Sequence, residues 1–191
     1  MVGHTAAGKL LGRTDDDWYE LAYLVGSVHG MNGVADGLRL PLDFSADPTR
    51  TPLVPLVDAE AAEGPVKALF EEIQAFFDMP APPNLYRALA TDPGYAADHW
   101  RYVRHIFSDG RLSRLSKSII ALAVSMAARS AYGIDFHHRE ARRLGFHDAA
   151  MRELMFVTEQ FNAVNKIGDC LHLQPDMYVG LNRSGPTAAT P

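Results

Sequence analysis

The spacing of apolar residues constrains this chain more than any other feature of its sequence. In the long periodic segments, apolar residues recur every three or four positions, whereas alternating stretches are short and interrupted by proline. This pattern predicts an all-α fold. The predicted helices span residues 14–39, 65–78, 84–90, 93–108, 114–129, 131–144 and 148–172.

Proline and glycine mark several of the predicted helix ends. Pro65 and Pro93 suit the first turn of a helix, because that turn does not use the backbone N–H that proline lacks. Asp92 is a good N-cap residue directly before Pro93. Gly110 and Gly145 follow the last periodic residues of their segments, where a left-handed glycine commonly ends a helix.

The chain of 191 residues is long enough for one main domain. Four prolines between residues 41 and 58 predict an extended connector. The apolar residues expected to pack it are Leu53, Val54, Leu56 and Val57. We therefore assign residues 1–54 to an N-terminal helix with its connector, residues 55–178 to a helical domain, and residues 179–191 to a disordered tail.

An internal repeat relates the two ends of the chain. Residues 14–43 align without gaps on residues 147–176, with eight identical positions. The identical pairs include Asp15 and Asp148, Glu20 and Glu153, Asn32 and Asn165, Asp36 and Asp169, Leu38 and Leu171, and Leu40 and Leu173. The repeat predicts two long helices that present similar faces to equivalent surroundings. Two amphipathic helices that coincide in pattern are the alternative explanation.

Charge and composition exclude several classes of partner. The net charge of -5 and the pI near 5.9 argue against a nucleic-acid partner, so small molecules or proteins are favoured. No run of eighteen apolar residues predicts a membrane span, and the N-terminus lacks an export signal, so we expect a cytoplasmic protein. The single cysteine, Cys170, excludes an internal disulfide and is expected to be a small packed residue.

The segment 111–146 reads as two helices that meet at Ser130. Its predicted buried residues are Leu115, Ile119, Leu122 and Met126 in the first helix, and Ile134, Ala141 and Leu144 in the second. His137 falls on the same side of the second helix, so it should point inward or into a cleft.

This segment resembles the AhpD-like family, which includes the alkylhydroperoxidase AhpD and the carboxymuconolactone decarboxylases. Redox members carry a Glu, then twelve residues later Cys-x-x-Cys, then a His four residues after the second Cys. In this chain those places hold Ser118, Ser130, Gly133 and His137. The stretches NLYRALATDPGYAADHW and FNAVNKIGDCLHLQPD are similar to the family's approach to the motif and to its closing helix. The resemblance covers about residues 55–178.

The resemblance implies an AhpD-like helical bundle that forms a homo-oligomer, either a dimer, a trimer or a hexamer. Serine and glycine do not cycle through sulfenic acid and disulfide, so peroxide reduction at this site is not expected. Three residues remain as candidate catalytic groups: His137, Ser130 and Tyr132. Ser130 is an N-cap, a ligand-binding hydroxyl or a nucleophile activated by His137. His137 is either a satisfied core histidine or an acid or base.

No cofactor and no metal are expected. Asp135, His138 and Glu140 lie near His137 in sequence, but no two histidines there stand four residues apart, and a solvated face is the favoured interpretation.

Three functions are consistent with these observations. The first is a small-molecule-binding or non-redox protein, similar to the carboxymuconolactone decarboxylases, with a pocket near His137. The second is an oligomeric pseudoenzyme or scaffold. The third, an antioxidant peroxidase that uses Cys170, is least favoured because that thiol has no resolving partner.

Overall fold

The computed structural model describes residues 7–173, and these contain helices and no β-strand, which confirms the all-α prediction. A helical turn at residues 7–10 precedes seven longer elements. We number these α1 (Asp15–Gly37), α2 (Gly64–Phe77), α3 (Asn84–Leu89), α4 (Pro93–Phe107), α5 (Arg114–Ala128), α6 (Ala131–Arg143) and α7 (Asp148–Cys170). Each lies within two residues of its predicted bounds. The predicted tail lies outside the described residues.

The predicted start of α4 is confirmed in detail. Asp92 accepts a hydrogen bond from the Tyr95 backbone N–H, and Pro93 occupies the first turn. The start of α1 is held by a reciprocal arrangement in which the Thr14 side chain bonds the Asp17 N–H and the Asp17 side chain bonds the Thr14 N–H.

Only one of the two predicted glycine terminators ends a helix. Gly145 has a φ of 98° and follows α6 as expected. The prediction for Gly110 is wrong, because α4 ends earlier, at Ser108, which is extended and bonds the Arg104 carbonyl through its own N–H. The space beside Gly110 is instead occupied by the Glu20 carboxylate.

The main core joins α1 to the helices that follow the connector. The packed face of α2 consists of Leu69, Phe70, Ile73 and Phe77, which are buried, and Val66, which is half-buried against them. The residues that α1, α4 and α5 contribute to the same cluster are Leu24, Val28, Ala96, Trp100, Val103, Ile106, Phe107 and Ala121. The N-terminal helix is therefore part of the same core as α2, α4 and α5.

The connector packs through three of its four predicted residues. Val54 and Leu56 contact a small cluster at the end of α1, and Val57 contacts the main core. The prediction for Leu53 is wrong, because its side chain is 65% exposed. Neighbouring side chains of an extended segment point to opposite sides, so the packing of Val54 leaves Leu53 outside.

The repeated helices have equivalent ends and different surroundings. Both span 23 residues, and both are followed by a left-handed residue at matching positions, Arg39 (φ 54°) and His172 (φ 51°). However, α1 is packed in the core, whereas no residue of α7 is buried. The prediction of equivalent surroundings is therefore wrong within one chain. The prediction that Cys170 is packed is also wrong, because this residue of α7 is exposed.

A buried ion cluster connects α5 to α6. Glu140 is 2% exposed and accepts hydrogen bonds at 2.8 Å from both Arg114 and Arg143. The prediction that Glu140 lies on a solvated face is therefore wrong. Its charge can be buried because the two guanidinium groups pair with it. Within residues 7–173 no cluster of side chains could hold a metal ion, and no helix is long and apolar enough to cross a membrane.

Candidate functional site

The N-terminus of α6 is capped twice, once by its own serine and once by α1. The Ser130 hydroxyl accepts a hydrogen bond from the Gly133 N–H at 2.9 Å and donates one to the Asp36 carboxylate of α1. Asp36 also accepts from the Tyr132 N–H at 3.4 Å and pairs with Arg50 at 2.8 Å. A carboxylate therefore lies at the positive end of the α6 dipole. The Ser130 hydroxyl is fully engaged, which favours a capping role over a nucleophilic one.

The recess beside Gly133 is filled by a side chain of α1. A Cβ atom on residue 133 would lie 2.5 Å from Ser125 Oγ and 2.8 Å from Asn32 Cγ, and closer still to Asn32 Oδ1. Asn32 is 4% exposed and donates a hydrogen bond to Ser125 Oγ at 3.1 Å. Asn32 and Ser125 therefore take up the space that any side chain at position 133 would need.

His137 points into the protein interior, as the sequence predicts. Its side chain is 4% exposed, stacks on Phe107 at 5.7 Å between ring centroids, and meets the edge of Phe136 at 5.3 Å. Its Nδ1 atom is buried and has no hydrogen-bond partner among the described residues. Burial lowers the pKa of His137 to about 3, so the imidazole is neutral near pH 7.

A small apolar cavity lies beside His137. Its volume is about 30 Å³, which is room for roughly two water molecules. It is lined by Met31, Asn32, Phe77, Pro83, Leu85, Tyr86, Val103, Phe107, Tyr132, Gly133, Phe136 and His137. None of these residues carries a charge at neutral pH. Tyr86 is buried, and its hydroxyl likewise has no partner within residues 7–173. Burial raises the pKa of Tyr86, so the hydroxyl remains protonated.

Tyr132 contributes its ring to the cavity and its hydroxyl to the connector. The hydroxyl donates to the Asp43 carboxylate at 2.5 Å and accepts from the Leu85 N–H at 3.0 Å. Burial raises the pKa of Asp43 to about 6, against the opposing effect of the Tyr132 hydrogen bond. Burial and the nearby carboxylate raise the pKa of Tyr132 well above its ordinary value. The phenol therefore holds the connector in place and does not act as an acid at neutral pH.

Ser118 stands where the sequence pattern of redox relatives has a Glu. It is completely buried on α5, and its hydroxyl has no partner among residues 7–173. The neighbouring Lys117 is 2% exposed and pairs with Glu20 of α1 at 2.6 Å. No carboxylate is therefore supplied from position 118 itself.

The structure brings the three sequence-predicted residues to the N-terminal half of one helix, but only two of them line the cavity. Tyr132 and His137 do so, whereas Ser130 does not. Asn32 and Asp36, which close the site from α1, were not among the predicted site residues. Both are identical to their counterparts in the internal repeat, and this identity was the one signal that could have found them.

Comparison with known proteins gives two matches. The carboxymuconolactone decarboxylase family model matches residues 93–173. The crystal structure of the alkylhydroperoxidase AhpD core from Rhodospirillum rubrum is similar, with a TM-score of 0.60 and 28% sequence identity. That match covers 64% of this chain and 93% of the other. No curated protein sequence matches.

Proposed function

We propose that this chain, whose residues 93–173 match the carboxymuconolactone decarboxylase family model, is an AhpD-like protein that binds a small neutral molecule beside His137. This function requires no thiol redox chemistry. One observation carries it: two side chains that line the same apolar cavity, His137 and Tyr86, each have a buried polar atom without a partner among the described residues.

The unpartnered atoms define what the ligand must supply. A buried polar group without a hydrogen bond costs about 1–3 kcal/mol, so a ligand that satisfies both atoms gains that free energy on binding. The Tyr86 hydroxyl is a donor, and the neutral imidazole of His137 offers one donor and one acceptor. A carbonyl or hydroxyl group on an apolar body fits this arrangement.

The lining favours a neutral ligand over an anion. It contains no lysine or arginine, so a carboxylate would be buried without a counterion. The carboxylated lactones that the family's name denotes are therefore poor candidates. His137, with its pKa lowered to about 3, is also a weak base at neutral pH. Both points support ligand binding rather than decarboxylation.

Two side chains in the lining allow the cavity to enlarge. At about 30 Å³ it is smaller than a six-membered ring requires. Met31 and Phe136 are only partly buried, and methionine adapts readily to a change of shape. We therefore assign the widening of the pocket to rotation of these two residues.

Benzyl alcohol and benzoate form a matched pair of probes for this proposal. Benzyl alcohol should raise the melting temperature by a few degrees at saturating concentration and shift the amide NMR signals of residues 132–137. Benzoate should do neither, because it has a similar body with a negative charge. His137→Phe should remove the effect by filling the cavity, whereas His138→Gln, at an exposed neighbour, should retain it. Equal shifts with both probes, no shift with either, or a shift that survives His137→Phe would contradict the proposal.

A pseudoenzyme is the second candidate, and the closure of the site by Asn32 and Asp36 favours it. It would keep the fold as a scaffold and bind no small molecule. The probe experiment separates the two functions. A peroxidase based on Cys170 has less support, because that thiol is exposed on α7, is the only cysteine in the chain, and is not among the cavity-lining residues.

A further inference from the structure

A surface groove lies between α1 and α4, and we call it the outer groove. Its volume is about 320 Å³, which is within the usual range of small-molecule sites. Gly26 and Gly30 of α1 line it, and a Cβ atom on either residue would meet no other atom of the described residues within 4 Å. Tyr95, His99 and Tyr102 line it from α4. The two glycines therefore leave open space beside three rings on one face of α4.

The outer groove shares two side chains with the cavity beside His137, which we call the inner cavity. Met31 and Leu85 line both spaces. Leu85 is 5% exposed, whereas Met31 is half-buried. The flexible side chain of methionine changes shape readily. Rotation of Met31 would therefore join the inner cavity to the outer groove.

A series of ring contacts connects the same two spaces. Tyr86, which lines the inner cavity, meets the edge of the His99 ring at 5.6 Å between ring centroids. His99 in turn lies 6.2 Å from the ring of Tyr95, which is 57% exposed. The three rings run from the inner cavity to the protein surface. A flat apolar ligand in the groove would continue this series of aromatic contacts.

The lining of the outer groove is uncharged. Among the described residues, no lysine, arginine, aspartate or glutamate contributes to it. Burial lowers the pKa of His99, so its ring is neutral at neutral pH. Its Nδ1 atom is buried and has no partner within residues 7–173. The outer groove therefore matches the inner cavity in polarity, and both favour an uncharged occupant.

We propose that the outer groove and the inner cavity form one binding site for an elongated neutral molecule. This rests on the proposed function, because the hydroxyl or carbonyl end of the ligand occupies the inner cavity. The aromatic body passes Met31 and lies over Gly26 and Gly30, where the lack of side chains allows close approach. Tyr95 and Tyr102 cover its rings. The ligand class is then an aryl alcohol or aryl ketone with at least two rings.

Benzyl alcohol and para-phenylbenzyl alcohol test the proposal by calorimetric titration of the full chain. The longer alcohol should bind the wild type about tenfold more tightly, because its second ring loses contact with water in the outer groove. Gly30→Leu should remove this advantage by filling the groove, so that the longer alcohol binds no more tightly than benzyl alcohol. Gly33→Leu is the matched control, since Gly33 is an equally open position of α1 outside the groove and should retain the advantage. The longer alcohol should also shift the amide NMR signals of Gly26 and Gly30.

The outcomes separate this proposal from the function on which it rests. Binding of benzyl alcohol without tighter binding of the longer alcohol would overturn the extension into the outer groove and leave the proposed function standing. An advantage that survives Gly30→Leu would have the same meaning. Binding of the longer alcohol that survives His137→Phe would place it in the groove alone and overturn the single site. Failure of both alcohols to bind would overturn both proposals.

Discussion

Gly133→Ala is expected to destabilise the protein by about 3 kcal/mol, although alanine is the better helix former. The new methyl group would overlap Asn32 and Ser125, which form a buried hydrogen-bonded pair. Chemical denaturation monitored by circular dichroism measures the effect. Gly26→Ala is the control, because a Cβ there meets nothing within 4 Å and should stabilise α1 by up to about 1 kcal/mol.

Asn32→Ala should rescue much of this loss. Truncating Asn32 alone removes its hydrogen bond to Ser125 and leaves a small void, which costs about 1–2 kcal/mol. In the double variant the methyl group at position 133 enters that void, so the combined cost should fall well below the sum of the single costs. Additive effects, or a Gly133→Ala protein as stable as the wild type, would show that α1 does not fill this recess.

His137→Phe is expected to make the protein more resistant to acid. In the unfolded chain a histidine binds a proton near pH 6.5, whereas the folded protein resists protonation of His137 until about pH 3. Between these values the unfolded state binds more protons, so wild-type stability falls as the pH falls. Phenylalanine cannot bind a proton, so the variant does not lose stability in this way. The stability difference between variant and wild type should widen by about 1.4 kcal/mol per pH unit from pH 6 towards pH 4.

Two comparisons isolate the effect of His137. Asp43 acts in the opposite direction, because its pKa is raised to about 6 and its contribution to stability grows as the pH falls through that value. Asp43 is present in both proteins, so it cancels from the difference. His138→Gln is the control for removing a histidine from the exposed side of the same helix. A parallel pH dependence in His137→Phe and wild type would mean that the ring is hydrated in the folded state.

Local signals in the sequence predicted the fold closely. Apolar spacing defined each helix to within two residues, because each packed face repeats with the period of the helix itself. The inward direction of His137 followed from the same periodicity. The prediction failed at Gly110, because α4 ends at Ser108 and the Glu20 carboxylate, distant in sequence, occupies the space beside Gly110. The helices α2 and α5 end on the left-handed residues Asp78 and Arg129, which composition does not reveal.

The site itself was only half predictable. The motif positions on α5 and α6 could be identified from their resemblance to the motif of a known family. The residues that cover them could not be predicted, because Asn32 and Asp36 are more than ninety residues away in the chain. Both residues are identical to their counterparts in the internal repeat, but this identity does not indicate what they contact. The different environments of α1 and α7 could not be predicted either, because two similar segments in one sequence do not show which of them is covered by the rest of the chain.

The nitrogen NMR signals of His137 test most directly whether its imidazole is neutral and sealed beneath α1. A titration of the wild-type protein from pH 8 to pH 4.5 should show that ring remaining neutral throughout, because burial lowers its pKa to about 3. A midpoint for His137 near 6.5 would mean that water reaches the ring in the folded protein, and the closed, uncharged site described above would then be wrong.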